Sequence, residues 1–367
     1  MGEITELFSR RNKNRTDYPM FSVTNARGFV NQQEQFEDRE MKGEDISAYK
    51  IVSPGEFAYN PARINVGSIA RYDGETDCMI SSLYVCFKAK TELVDSQLLL
   101  HILKSPKMVY NYGINGEGGV RIYLFYPNFS RIRVKLPSLE EQRKIASFLD
   151  LIEERIQIQN KVIEQYQSLI RAIIQDSQQK AATSVYLRDL LVERKELNTE
   201  GYQICSVSVS RGIINQIEYL GRSFAAKKTG HYHVVRKGDI VYTKSPTGAF
   251  PYGIIKQSNL VFPVAVSPLY GVYEPITPEI GAYLHYYFCS PENTLNYLRK
   301  LIQKGAKNTI NITNNHFLDN SIRIPNSSEL RSSVAAVKSL SSRVEIETSS
   351  LRYLMLQRDY LLRHLFI

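Results

Sequence analysis

Arginine, lysine and carboxamide side chains at predicted turns are the residues whose types and spacing could do chemistry in this sequence. SVTNARGFVNQ (22–32) is answered by SVSVSRGIINQ (206–216), and the two share Arg27/Arg211, Gly28/Gly212, Asn31/Asn215 and Gln32/Gln216. Arg63 and Arg71 flank the NVGSIA turn, and Arg121 follows Gly118-Gly119. In the second half Lys227, Lys228, Lys244 and the loop carrying Lys304, Lys307 and Asn308 occupy corresponding regions. A guanidinium bonds guanine O6 and N7 bidentately, an ammonium neutralises phosphate, and a carboxamide reads adenine. One such residue alone is most often a solvated charge. Recurrence at matching places in both halves favours contact with nucleic acid.

Other chemistries find little support. No GxxxxGK[ST] stretch is present to cradle a nucleotide phosphate. GINGEGG (113–119) lacks the strand-to-helix setting of a dinucleotide fingerprint and reads as a flexible loop. Tyr59-Asn60-Pro61-Ala62-Arg63 has a faint likeness to the Asn-Pro-Pro-aromatic motif of amino-methyltransferases, but it lacks the second proline and the stacking aromatic. It reads as a strand end and loop. His231-Tyr232-His233 offers two imidazoles on one side of a strand without a third metal ligand. Glu193-Arg194-Lys195 reads as a solvated helix face. The four cysteines, Cys78, Cys86, Cys205 and Cys289, show neither CxxC nor Cys/His spacing, which suits free thiols in a reducing cytoplasm. No leader-like or membrane-spanning run stands out, so no metal, cofactor or membrane is expected of this chain.

The elements that must position the basic turns are duplicated. YKIVSPGEFAY (49–59) is answered by YHVVRKGDIVY (232–242), and SPxxxxNY occurs at Ser105–Tyr112 and Ser290–Tyr297. Each copy is rich in β-branched and aromatic runs broken by Gly, Pro and Asn, with one helical patch. Asp95 caps QLLLHILKS in the first copy, and Thr277-Pro278-Glu279 opens a helix through AYLHYYF in the second.

A long helix follows each copy. Leu149, Ile152, Ile156, Gln159, Ile163, Tyr166, Ile170 and Ile173 form a heptad seam, polar only at Gln159. A shift of 188 residues gives Val337, Leu340, Val344, Glu347, Leu351, Leu354, Arg358 and Leu361, so a polar residue falls at the same step. Ser138 is the expected N-cap of the first helix, with Glu140 and Glu141 in its first turn, and the helix should run to about Asp176. The second should run from about Ser328 to Phe366.

The expected architecture is therefore α+β, a tandem duplication in which two similar globular domains, 1–138 and 181–326, are each followed by a long helix, 139–180 and 327–367. The helices are expected to pair as an antiparallel coiled coil with pseudo-two-fold symmetry. Gln159 and Glu347 lie near their midpoints and are expected to fix the register. The net charge is +9, with +6 in 181–326 against +2 in 1–138, so the second domain should supply more of any attraction to phosphate.

IRVKLPSLEEQRKIASFLDLIEERI (132–156), preceded by a Gly-rich loop with Arg121 and continued by the long helix, resembles the central region of the specificity subunits of type I restriction-modification systems. The resemblance extends over essentially the whole chain. IRIPNSSELRSSVAAVKSL (322–340) keeps Pro325, Glu329 and Arg331 but loses the Glu-Gln pair. The resemblance implies a non-catalytic subunit whose two target-recognition domains each read one half of a bipartite site in double-stranded DNA. It also implies helices that set the spacing of the halves and dock two methyltransferase subunits, with restriction and motor subunits joining them. S-adenosylmethionine, ATP and Mg²⁺ would then bind those partners. Three rivals remain: the specificity subunit of a related type II-like enzyme, a self-contained DNA enzyme, and a coiled-coil scaffold without a nucleic-acid role.

Overall fold

The computed structural model describes residues 1–32, 45–119, 122–216, 229–304 and 310–364. The chain divides into two compact units, Met1–Asn160 with Ser349–Ile367, and Lys161–Thr348. Each unit therefore holds one globular copy together with part of both long helices.

In the first unit the strands are β1 (Thr5–Phe8), β2 (Met20–Thr24), β3 (Gly28–Asn31), β4 (Lys50–Val52), β5 (Phe57–Tyr59), β6 (Ile69–Arg71), β7 (Cys78–Ile80) and β8 (Val85–Ala89). They form two four-stranded sheets, ordered β1-β8-β5-β6 and β3-β2-β7-β4. Pairing is antiparallel except between β2 and β7. Helices α1 (Ser96–Lys104), α2 (Pro106–Asn115) and α3 (Tyr126–Arg131) follow. The helical patch is thus two consecutive helices, because Ser105 ends one and caps the next, its Oγ accepting from Met108 N. Pro106 sits at the first helical position, where its missing N–H costs nothing. Phe57 stacks on Phe87, and Phe129 of α3 packs on Phe87, Tyr59 and Tyr112. Leu98, Leu99 and Ile102 of α1 close this fully buried core.

The long helix α4 (Leu139–Lys180) starts in a capping box: Glu141 Oε2 accepts from Ser138 N at 3.1 Å and from its hydroxyl at 2.7 Å. Gln142, one residue on, is 1% exposed and bridges to the globular copy. Its Nε2 donates to Pro137 O at 2.9 Å and Leu93 O at 3.2 Å, and its Oε1 accepts from Asp95 N at 2.9 Å. Asp95 in turn caps α1 by accepting from Gln97 N and Leu98 N. The Gln of LEEQ therefore locks the start of the long helix to the start of α1.

The second unit repeats the plan. Its strands are β9 (Thr183–Tyr186), β10 (Leu191–Glu193), β11 (Cys205–Ser208), β12 (Gly212–Asn215), β13 (His233–Val235), β14 (Ile240–Thr243), β15 (Ile254–Gln257), β16 (Val264–Val266), β17 (Gly271–Pro275), β18 (Gln303–Lys304), β19 (Ile310–Asn311) and β20 (Ser321–Ile324). The sheet β10-β17-β14-β15 has the order of β1-β8-β5-β6, and Tyr242↔Ile255 in the one matches Tyr59↔Ile69 in the other. Helices α5 (Pro278–Phe288) and α6 (Pro291–Arg299) repeat α1 and α2, with Thr277 and Ser290 as caps. The short α7 (Asn314–Phe317) carries Phe317 onto the rings of Tyr242 and Tyr273. The last helix is α8 (Ser327–His364), capped by Asn326 Oδ1 on the N–H groups of Ser328 and Glu329. Leu330 takes the place of Gln142 and is buried in the apolar core.

Within each unit the two long helices run antiparallel. In the first, Leu149 and Leu362 enter one core and Glu153 pairs with Arg358 at 3.3 Å. In the second, Ile174 shares a core with Val334 and Val337, and Lys180 reaches Glu329 at 3.6 Å.

Candidate nucleic-acid interface

The turn joining β2 to β3 presents Arg27. Thr24 Oγ1 accepts from Arg27 N at 3.1 Å, and Gly28 adopts φ +65°, a left-handed conformation that favours glycine. A Cβ there would also stand 3.1 Å from that of Ala70. The β11–β12 turn is built alike, with Ser208 Oγ accepting from Arg211 N at 3.4 Å and Gly212 at φ +70°. The repeated Arg-Gly is thus a turn device that projects an exposed guanidinium in each copy.

Arg63 arrives from β5. The chain leaves Tyr59, turns at Asn60, whose Oδ1 accepts from Ala62 N at 3.0 Å, and enters a short 3-10 turn, Ile64–Val66, closed by Gly67 at φ +91°. Arg27 and Arg63 line one cavity of about 580 Å³. Asn25, Gln32 and Asn60 share it with Ser22, Ser68, Ser81 and Tyr84, and among the described residues no carboxylate lines it. Two cations among carboxamides and hydroxyls suit phosphate oxygens and base edges.

Arg27 also borders a second cavity of about 340 Å³, with Arg71, Lys104 and the rings of Phe21, Phe29 and Tyr72. Arg71 is engaged within the protein there, its guanidinium on Asp73 and on Ser96 Oγ. Burial lowers the Lys104 ammonium, with the nearby carboxylates of Glu153 and Asp73 opposing that shift. In the second unit Lys244 follows β14 and is half-buried, and desolvation lowers its pKa. Lys304 lies on β18. Arg121, Lys227, Lys228, Lys307 and Asn308 lie outside the described residues. The structure therefore brings Arg27, Arg63 and Arg71 to adjoining cavities, with Arg211 at the repeat of the Arg27 turn. Asn25, Gln32 and Asn60 escaped the sequence reading, although Asn60 stood three residues from Arg63 and Gln32 within the repeated motif.

Three sequence expectations change. Glu193 ends β10 and Arg194-Lys195 follow it in extended chain, so the run is not a helix face. Arg194 Nε donates to the buried Asp239 at 2.7 Å, the place where Arg10 meets Glu56 in the first copy. Opposing effects act on Asp239: burial raises its carboxyl, while the hydrogen bond from Arg194 counters that, and the net is upward. Of the two imidazoles near residue 232 only His233 is on a strand, its Nδ1 3.1 Å from Tyr270 O, whereas His231 lies in the preceding turn. The GINGEGG run begins inside α2, which continues to Asn115, because Tyr112 is anchored to Leu103 O at 2.8 Å and carries the helix past Gly113. Among the described residues, no group of His, Cys, Asp and Glu could hold a metal ion, and no helix is long and apolar enough to cross a membrane.

Comparison with known proteins places this geometry. The family model for the type I restriction modification DNA specificity domain matches residues 2–167. A putative type I restriction enzyme MjaX specificity subunit of Methanocaldococcus jannaschii is 23% identical over 165 residues. That match covers 43% of this chain and spans 38% of the relative's length. The crystal structure of a type I restriction-modification S subunit from M. genitalium superposes with a TM-score of 0.61 at 11% identity, covering 100% of this chain and 94% of that one. A chain from a structure of complex assembly and conformational transition of the type I R-M system gives 0.55 at 15%, covering 99% and 95%. At these identities the superpositions speak to the fold. Residues 2–167 thus match the model of the type I restriction modification DNA specificity domain, and the fold is similar to that of the M. genitalium S subunit along the length of the chain.

Proposed function

We propose that this chain is the DNA-recognition subunit of a type I restriction-modification complex and has no catalytic site of its own. Each globular copy reads one half of a bipartite site in double-stranded DNA. The paired long helices hold the halves apart and dock two methyltransferase subunits, with restriction subunits joining in the cytoplasm. S-adenosylmethionine, ATP and Mg²⁺ belong to those partners. The observation that carries this reading is the cavity that gathers Arg27 and Arg63 with three carboxamides, at a turn that recurs around Arg211.

In this reading Arg27, Arg63 and Arg211 anchor or read the duplex directly. Lys244, Lys304, Lys307, Asn308, Lys227, Lys228 and Arg121 supply further contacts, and Arg71 acts through its position beside Arg27. The test is competition binding by the assembled complex with its methyltransferase partner. Replacing Arg27 and Arg63 by Ala should weaken binding and flatten the plot of log affinity against log salt by about 0.9 for each phosphate no longer neutralised. Wild-type affinity and slope in that variant would place recognition elsewhere.

A further inference from the structure

Leu83 is 77% exposed and Leu269 71% exposed, and they occupy the same place in the two copies. Leu83 sits in the turn Ser81–Tyr84, where Tyr84 N donates to Ser81 O at 3.1 Å and Leu83 N to Ser81 Oγ at 3.4 Å. Leu269 sits in the turn Ser267–Tyr270, with Tyr270 N on Ser267 O at 2.9 Å and Leu269 N on Ser267 Oγ at 3.3 Å. A side chain at the start of the neighbouring strand clamps each turn. Lys50 Nζ donates to Tyr84 O at 2.6 Å, and His233 Nδ1 meets Tyr270 O at 3.1 Å. In the first copy Tyr84 OH also accepts from Val23 N at 3.2 Å.

A single exposed leucine needs no explanation. Two held outward by the same clamped turn do, because their surroundings have diverged. The clamp is Lys50 in one copy and His233 in the other, Asn25 answers to Val209, and Asn60 answers to Thr243. Residues that read bases should differ between domains that read different half-sites. A residue kept the same in both should act on what the half-sites share, which is the base stack itself. Ser81 and Tyr84, either side of Leu83, line the cavity that holds Arg27 and Arg63, so the leucine stands at the rim of the anchoring cations.

Resting on the recognition role above, we propose that Leu83 and Leu269 are wedges, each entering between two base pairs of one half-site of duplex DNA and unstacking that step. Apolar side chains on rigid supports unstack and bend DNA in this way, and nearby cations hold the deformed backbone. The wedge sets affinity and DNA shape, and leaves the choice of base to the polar residues beside it.

The assembled complex and its own methylated site provide the test. 2-Aminopurine is placed at successive steps of each half-site, away from the methylated bases, and its fluorescence is read on binding. The wild type should brighten one step in each half. Leu83→Ala should abolish the rise in one half only, Leu269→Ala in the other only, each with about a tenfold loss of affinity and no change in preferred sequence. Leu83→Met should restore most of the rise. Both leucines are exposed, so the Ala variants should melt like the wild type. Bright steps that survive the Ala substitutions, or a changed base preference as a thymine-methyl contact would give, overturn the wedge while leaving recognition intact. Absence of specific binding by the wild type overturns both.

Discussion

Replacing Gln142 by Leu probes the lock between recognition domain and spacer helix. The carboxamide is 1% exposed and makes three hydrogen bonds, to Pro137 O, Leu93 O and Asp95 N. Leucine is close in volume, so packing changes little, but three backbone groups lose their partner. An orphaned buried group costs about 1–3 kcal/mol, and these are only partly buried, so about 3 kcal/mol in all is expected. That corresponds to roughly two orders of magnitude in the local opening equilibrium. Two compact units make a single melting transition an unsafe readout. Amide exchange is the better assay, read at Asp95 and along α1 to Ile102. Protection there should fall about a hundredfold while that of β14 and β17 stays put. The second copy supplies the converse: Leu330→Gln buries a carboxamide among apolar side chains and should loosen the start of α8 instead. Protection at Asp95 within threefold of wild type in Gln142→Leu would refute the lock.

Other outcomes follow from charge, seam and thiol chemistry. Replacing Lys227, Lys228 and Lys307 by Ala should flatten the salt dependence of DNA binding by up to about 2.7, at ~0.9 per phosphate; an unchanged slope means that the phosphates are neutralised elsewhere. Changing both Gln159 and Glu347 to Leu should hold or raise thermal stability while loosening discrimination between sites whose spacers differ by one base pair. An unaltered spacer preference rejects that role. Burial pushes the Cys289 thiol up, but hydrogen bonds from His285 and from Lys256, whose Nζ lies 3.3 Å from Sγ, outweigh it and bring it down to about 7. Cys78 and Cys86 are pushed up to about 12 by burial. Iodoacetamide should therefore label Cys289 first, with the rate rising through pH 7 as the thiolate forms, and Lys256→Ala should slow it about tenfold. Equal labelling of all four cysteines contradicts this.

The duplicated plan was legible because repeats, turn residues and caps are local. Asp95 marked the start of α1, Thr277-Pro278 that of α5, and Ser138 with Glu140 and Glu141 that of α4, whereas the second helix of each copy, α2 or α6, was merged into one helical patch. Gathering of residues distant in sequence was not legible. Nothing in the spacing says that Arg27 and Arg63 share a cavity, or that Arg71 reaches Ser96 Oγ, since the one depends on how β2 and β3 meet the loop after β5 and the other on how α1 packs on β6. Arg194 illustrates the same limit: its run of charges looked solvated, yet the register of β10 brings it to a buried carboxylate 45 residues away. A heptad seam also fits several helix registers, and only pairs such as Glu153–Arg358 choose among them.

The central claim, that each globular copy reads its own half of a split DNA site, is tested most directly by methylome sequencing of a host carrying this chain with its methyltransferase partner. The wild type should yield one asymmetric bipartite motif that disappears when this gene is deleted. Arg27→Ala with Arg63→Ala should relax one half of the motif and leave the other half and the spacer as they were. A single contiguous motif, a methylome indifferent to this gene, or a change in both halves from substitutions confined to the first copy would contradict it.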